Sequence, residues 1–291
     1  MPDHQPSLLV TGAGGQLGRL VIQELLKTVP AAHIAAMLRS KAAGSELDAQ
    51  GVRVLVGDYS KPETLDAALA GIDRVLLISS NALGERVAQH RNVIEAAKRA
   101  GVKLLAYTSV LHADTSALGL AEEHRQTEAA LQASGVPFVL LRNGWYTENY
   151  AASIPPALAH GAFLGGASEG RISSASRADY AAAAAAILTS ADDQAGRIYE
   201  LAGDGAYTLA EFVAEISRQA GKPVAYTNLP EADFKAALVG VGLPEPVAEL
   251  LANSDAAAAK GALFDDSHQL SQLIGRPTTP FAQTIATALK A

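Results

Sequence analysis

The amino-acid sequence predicts an α/β fold: a doubly wound parallel sheet with a smaller, mainly helical C-terminal lobe. Three observations carry that expectation. Short apolar runs recur through the first half with helical stretches between them, the first run opens into a glycine-rich turn, and after Asn143 the alternation gives way to helices. A parallel strand buried on both faces shows a continuous apolar run, and strands alternating with helices mark a sheet covered on both sides.

The runs are SLLVTG (7–12), HIAAML (33–38), VRVLVG (52–57), DRVLLIS (73–79), VKLLAYTS (102–109) and PFVLLRN (137–143), each expected as a buried strand. Between them, Leu17, Leu20, Val21 and Leu25 share one helical face. RNVIEAAKRAG turns Val93, Ile94 and Ala97 inward and stops at Gly101. Past Asn143 only GRIYELAG (196–203) suggests a further strand, and the rest is expected as helices and proline-punctuated loops. LAEFVAEISRQAG and EADFKAALVGVG are amphipathic helices ending in glycine, and AAAAAAIL (181–188) is a tightly packed helix with Asp179 as its N-cap. The division expected is a Rossmann domain over 1–150 and a lobe over 151–291 interlocked with it, the strand near 197–202 returning to the main sheet region. No internal repeat or linker interrupts it.

Composition narrows the function. A net charge of −7 over 291 residues argues against nucleic acid as a partner. The chain has no cysteine, which excludes disulfides and thiolate chemistry and fits a reducing, cytoplasmic setting. The longest apolar run, Tyr180 to Leu188, is far short of a membrane span, and the first residues lack a basic, apolar leader. His4, His33, His90, His112, His160 and His268 show no metal-ligand spacing, so no metal is expected. A homo-oligomer is compatible with the sequence.

VTGAGGQLG (10–18) follows a strand and opens a helix. Leu17 rules out G-x-G-x-x-G from Gly12; Gly12, Gly15 and Gly18 form G-x-x-G-x-x-G. The first glycine permits the tight turn, the second lets backbone approach a pyrophosphate, and the third lets the helix pack on the strand. A dinucleotide site follows. In such folds an acidic residue after the second strand binds the ribose of NAD, whereas arginine accommodates the 2′-phosphate of NADP. Here MLRSKA places Arg39, Ser40 and Lys41 there, with no carboxylate before Glu46, which points to NADPH. Asp58 and Tyr59 end the third strand. They either line the adenine, or Asp58 caps the KPETL helix. Ser79 and Ser80 end the fourth strand at the carboxyl edge where ligands bind.

The Tyr-x-x-x-Lys pair usual in short-chain dehydrogenases is missing, since none of the eight tyrosines has lysine four residues on. The corresponding helix, GLAEEHRQTEAALQASG, offers His124 and Glu128 at i, i+4. Glu128 would fix the tautomer of His124 or raise its pKa, leaving His124 to stabilise charge on a substrate oxygen. The plainer alternative is a partly exposed helix pair.

TGAGGQLG, VLLISS, QHRNVIEAAK, AYTSVLHADTS, GLAEEH, LLRNGWYTENY, SASRADYAAAAA, YELAGD, KGALFDD and LIGRPTT together resemble the NmrA-like atypical short-chain dehydrogenases over nearly the whole chain. They are nearest to the flavin-free, quinone-reducing branch. Gly14 departs from the threonine usual there. The resemblance implies NADPH lying across Gly12, Ala13, Gly14, Gly15, Gln16 and Leu17, with Arg39 at the 2′-phosphate. Ser79 and Ser80 would lie near ribose and phosphates, and Asn143 to Tyr146 would border the nicotinamide. It implies hydride transfer to a quinone without flavin, and without a Tyr-Lys pair. A quinone accepts hydride readily, so modest stabilisation of its oxyanion suffices. Trp145 and Tyr146 would stack on the ring, with Asn149 or His124 donating to its oxygen. Alternatively the aromatics only pack the lobe. Two other functions fit the resemblance: an NADP(H) sensor that regulates a partner without turnover, and a reductase of another conjugated acceptor such as a triarylmethane dye.

Overall fold

A computed structural model describes residues 5–290, so His4 and the start of the N-terminal segment lie outside the described residues. The strands are β1 (Leu8–Val10), β2 (Ile34–Leu38), β3 (Arg53–Val56), β4 (Arg74–Leu77), β5 (Leu104–Val110), β6 (Phe138–Asn143), β7 (Ala162–Gly165), β8 (Ile198–Leu201) and β9 (Ala225–Asn228). Seven of them form one sheet among the described residues, in the order β3-β2-β1-β4-β5-β6-β8. This is the Rossmann-type doubly wound sheet that the apolar runs predict.

β1 pairs in parallel with both β2 and β4, Leu9 standing opposite Ala35 on one side and Val75 on the other. The strand order reverses at that point, and the carboxyl ends there form the crevice where such folds bind ligands. β1, β2 and β5 are buried throughout, and Leu9, Met37, Leu65, Val75, Leu105 and Leu140 share one core. Burying one such side chain contributes about 1.5–3 kcal/mol, which is why helices cover both faces. β3 differs from its expectation: it is the edge strand and half-exposed, with Val56 open to solvent.

The helix Gln16–Leu25 buries Leu17, Gly18, Val21, Ile22 and Leu25, so Ile22 rather than Leu20 completes the inner face. The helix Arg86–Ala100 buries Val93, Ile94 and Ala97 and stops at Gly101 with φ 68°, as its glycine predicts.

Two compact units are distinguishable. The first comprises residues up to Val110, Glu123–Arg142 and Tyr180–Tyr199; the second comprises Leu111–Glu122, Asn143–Asp179 and residues from Glu200 on. Within the second unit, β7 and β9 pair in parallel, Phe163 opposite Tyr226. The expectation of helices and loops alone is corrected here. Each strand is four residues long, and neither AFLG nor AYTN shows an apolar run long enough to announce a strand. An aromatic cluster supports this unit, Tyr207 lying 5.5 Å from Phe212 and 4.4 Å from Phe281 between ring centres.

Asp179 is also corrected. The helix runs Arg177–Thr189, so Asp179 lies inside its first turn and does not precede it. Ser176 Oγ accepts from the Asp179 N–H at 3.2 Å and donates back to its carboxylate at 2.8 Å. That fully buried carboxylate also accepts from the Thr279 N–H at 2.9 Å and pairs with Arg276 at 2.7 Å. Among the described residues no helix is long and apolar enough to cross a membrane.

Candidate functional site

The glycine turn has the geometry its sequence requires. Gly12 has φ +59°, and the Gly15 N–H donates to the Gly12 carbonyl at 3.0 Å. A Cβ on Gly18 would sit 2.5 Å from that carbonyl oxygen and 2.8 Å from Ala13 Cα, so only glycine lets the helix approach. Gly15 caps the helix without a side-chain bond, and no acidic residue occupies the first turn. The helix amides are therefore open to an anion, and the helix dipole favours one. Ala13 and Leu17 turn their side chains into the core, whereas Gly14, Gly15 and Gln16 are exposed. Ala13 and Leu17 can thus offer backbone only.

Beneath this turn the Tyr59 hydroxyl meets the Thr11 hydroxyl and donates to the Ile78 carbonyl at 2.9 Å. Burial pushes its pKa up, so it keeps its proton. Asp58 closes its own turn, accepting from the Ser60 N–H at 2.9 Å. The helix Pro62–Leu69 starts after Lys61 with no side-chain cap, which removes the capping option for Asp58.

After β2, Arg39 and Lys41 are exposed, and neither has an ion-pair partner among the described residues. Glu46, the first carboxylate beyond them, pairs with Arg19 at 3.1 Å. Arg39 thus has no competing carboxylate in its own segment.

The two serines after β4 have different roles. The Ser79 N–H donates to Thr108 Oγ1 at 2.9 Å, and its hydroxyl has no hydrogen-bond partner among the described residues. Ser80 is anchored on every side: its N–H donates to His90 Nε2 at 2.9 Å, its carbonyl accepts from Arg86 Nε at 2.6 Å, and its hydroxyl donates to Gln89. Neither His90 nor Arg86 stood out in the sequence, because their partner is a backbone segment brought close by the fold.

His124 and Glu128 share a helix but not a bond. His124 Nδ1 lies 2.7 Å from the Tyr107 hydroxyl. Glu128 is held by Arg142 and by Ser109 Oγ at 2.5 Å. The expected rise in the pKa of His124 is reversed: burial, with the positive charge of Arg86, holds it well below the usual range. The pair is buried, not partly exposed.

In the second unit Asn143 Oδ1 is buried without a hydrogen-bond partner, while the Asn143 side chain bonds the Tyr146 hydroxyl. Trp145 is buried, its ring centre 6.3 Å from that of Tyr150. Arg177 organises this segment. Its guanidinium stacks 4.7 Å from the Tyr146 ring centre and donates to Asn149 Oδ1 at 2.7 Å. Asn149 therefore keeps its amide N–H groups for another partner. Among the described residues no group of three or more His, Asp or Glu side chains is placed to hold a metal ion.

The profile of the NmrA-like family matches residues 4–281. The chain belongs to this family. Among its NmrA-like relatives, Quinone oxidoreductase 2 of Escherichia coli is 56% identical over 279 residues, covering 96% of this chain and 97% of that protein. The NAD(P)H azoreductase of Xenophilus azovorans is 30% identical over 278 residues, covering 95% and 96%. A crystal structure of the Escherichia coli NADPH-dependent quinone oxidoreductase complexed with NADPH superposes with a TM-score of 0.95, covering 97% of this chain and 99% of that one. The Citrobacter sp. triphenylmethane reductase complexed with NADP(H) is 38% identical with a TM-score of 0.93, covering 97% and 100%.

Proposed function

We propose that this protein is an NADPH-dependent quinone oxidoreductase that works without flavin or metal, in the cytoplasm. The observation that carries this reading is the 56% identity, over almost the full length of both chains, to an enzyme of that activity. The residues fit the cofactor: open amides in the first turn of the helix after Gly15, an unpaired Arg39 and the partnerless buried Asn143 Oδ1 are donors and an acceptor that suit a dinucleotide.

In this proposal residues 1–150 hold the cofactor. The backbone of Gly12 to Leu17 borders the pyrophosphate, with the Gln16 and Leu17 amides donating to it, Arg39 forks onto the 2′-phosphate, and the Ser79 hydroxyl reaches the ribose. Asp58 and Tyr59 border the adenine. Asn143 Oδ1 accepts from the carboxamide. Bound NADPH supplies the hydride. From residues 151–291 and the segment before them, Trp145 and Tyr146 offer ring faces to a flat acceptor, and an Asn149 N–H donates to its oxygen. His124 is the catalytic donor to the oxygen on which charge develops. Its Nε2 has no hydrogen-bond partner among the described residues.

The test is purified protein with NADPH and a panel of simple quinones, followed at the NADPH absorbance, with NADH as control. Rapid oxidation of NADPH by quinones, and a slower rate with NADH, is the expected result. Tight NADPH binding with no oxidation above the uncatalysed rate would overturn the reading. A triarylmethane dye belongs in the panel because of the 38% identity to triphenylmethane reductase.

A further inference from the structure

The hydrogen bonds around His124 fix where its proton sits. The Ser80 N–H can only donate, so His90 Nε2, 2.9 Å away, must accept. His90 is fully buried and neutral: burial and the Arg86 charge lower its pKa to about 3. A neutral imidazole has one proton, so it sits on Nδ1 and is donated to Thr127 Oγ1 at 3.0 Å. The Thr127 hydroxyl carries one proton and has two acceptors in reach, the Glu123 carbonyl at 2.9 Å and the Tyr107 oxygen, whose pKa it lowers by donating. Tyr107 in turn lies 2.7 Å from His124 Nδ1. That length suits an O–H donor and also lies at the short end of the N–H···O range of about 2.7–3.2 Å, so donor strength decides. A phenol is the better donor and an imidazole nitrogen the better acceptor. Tyr107 therefore donates, and its own oxygen faces Thr127.

We propose that Ser80, His90, Thr127 and Tyr107 form a directional hydrogen-bond relay that holds His124 as the Nε2–H tautomer, a permanent donor to the acceptor's oxygen. The three side chains before His124 are positioning residues. The relay starts at the turn that carries Ser79, so the donor is set by the same backbone that faces the cofactor. The role given to the acceptor oxygen rests on the proposed quinone reductase activity; the tautomers do not.

The experiment uses full-length protein labelled with ¹⁵N-histidine. Two-bond nitrogen–proton correlations identify which ring nitrogen carries the proton, with H124Q and H90Q giving the assignments. The expected result is Nδ1–H on His90 and Nε2–H on His124, with the His124 signal shifting toward a tautomer mixture in Tyr107→Phe. In the quinone assay, Y107F and Thr127→Val lower kcat by about tenfold with the KM for NADPH unchanged. A wild-type His124 protonated on Nδ1 overturns the proposal, and so does a Y107F protein with unaltered His124 tautomer. If the wild-type protein reduces no quinone while both tautomers are as expected, the relay stands and the function assigned to the protein falls.

Discussion

Arg142 grips Glu128 through two parallel hydrogen bonds, Nε to Oε1 at 3.0 Å and Nη2 to Oε2 at 2.7 Å, with both side chains buried. The pair joins β6 to the helix Ala121–Ser134, and Ser109 ties it to β5. Removing the carboxylate deletes two buried, charge-assisted hydrogen bonds to the guanidinium. Glu128→Ala is expected to cost about 3–5 kcal/mol of stability, measured by denaturant unfolding. A loss below about 1 kcal/mol would mean that the guanidinium finds water or another acceptor.

Arg39 is expected to set cofactor preference. Arg39→Ala should lower the ratio of kcat/KM for NADPH over NADH by about ten- to a hundredfold, the worth of one charged hydrogen bond. Glu46 is already engaged by Arg19, so a parallel Glu46→Gln variant should leave the ratio within about twofold, since a pair exposed on both sides contributes little.

Gly18 and Gly14 differ in what an added methyl group would strike. At Gly18 it meets backbone at 2.5 Å, whereas at Gly14 it meets only the Leu38 side chain at 3.0 Å. Gly18→Ala should therefore destabilise the protein by about 1–3 kcal/mol and weaken NADPH binding more than tenfold. Gly14→Ala should change binding by less than about threefold, and fluorescence titration with NADPH separates the two.

Two buried groups give stability opposite dependences on pH. Burial raises the Asp255 carboxyl from 3.8 to about 6, although the Gly166 N–H and the Tyr150 hydroxyl donate to it. Its contribution is complete below pH 3.8 and is lost as pH rises through about 6, on the order of 3 kcal/mol by linkage. His90, lowered from 6.5 to about 3, contributes fully above pH 6.5 and loses that contribution as pH falls toward 3. Unfolding free energies measured from pH 4 to 7 should lose the falling component in Asp255→Asn and the rising component in His90→Gln. Identical profiles for wild type and D255N would place the Asp255 pKa near its ordinary value.

Strands β1, β2, β4, β5 and β6 were legible because a strand buried on both faces reads as a nearly continuous apolar run. β7 and β9 were not, since AFLG is only four residues between glycines and AYTN is partly polar. The G-x-x-G-x-x-G turn was legible for a related reason. Its geometry is local: Gly12 needs a positive φ, and Gly18 needs room against a backbone only six residues away. Helical spacing put His124 beside Glu128, but spacing does not rank competing partners. Arg142, on the next strand, and Tyr107, on β5, outcompete the i, i+4 neighbour. Asp179 likewise moved from helix cap to buried anchor through Arg276 and Thr279, about a hundred residues away. The sequence by itself determined the sheet and the glycine turn, because hydrophobic periodicity and backbone sterics act over a few residues. Only the tertiary structure decided which partner each buried polar group takes, because a desolvated hydrogen bond goes to whichever group the packed fold brings within 3 Å.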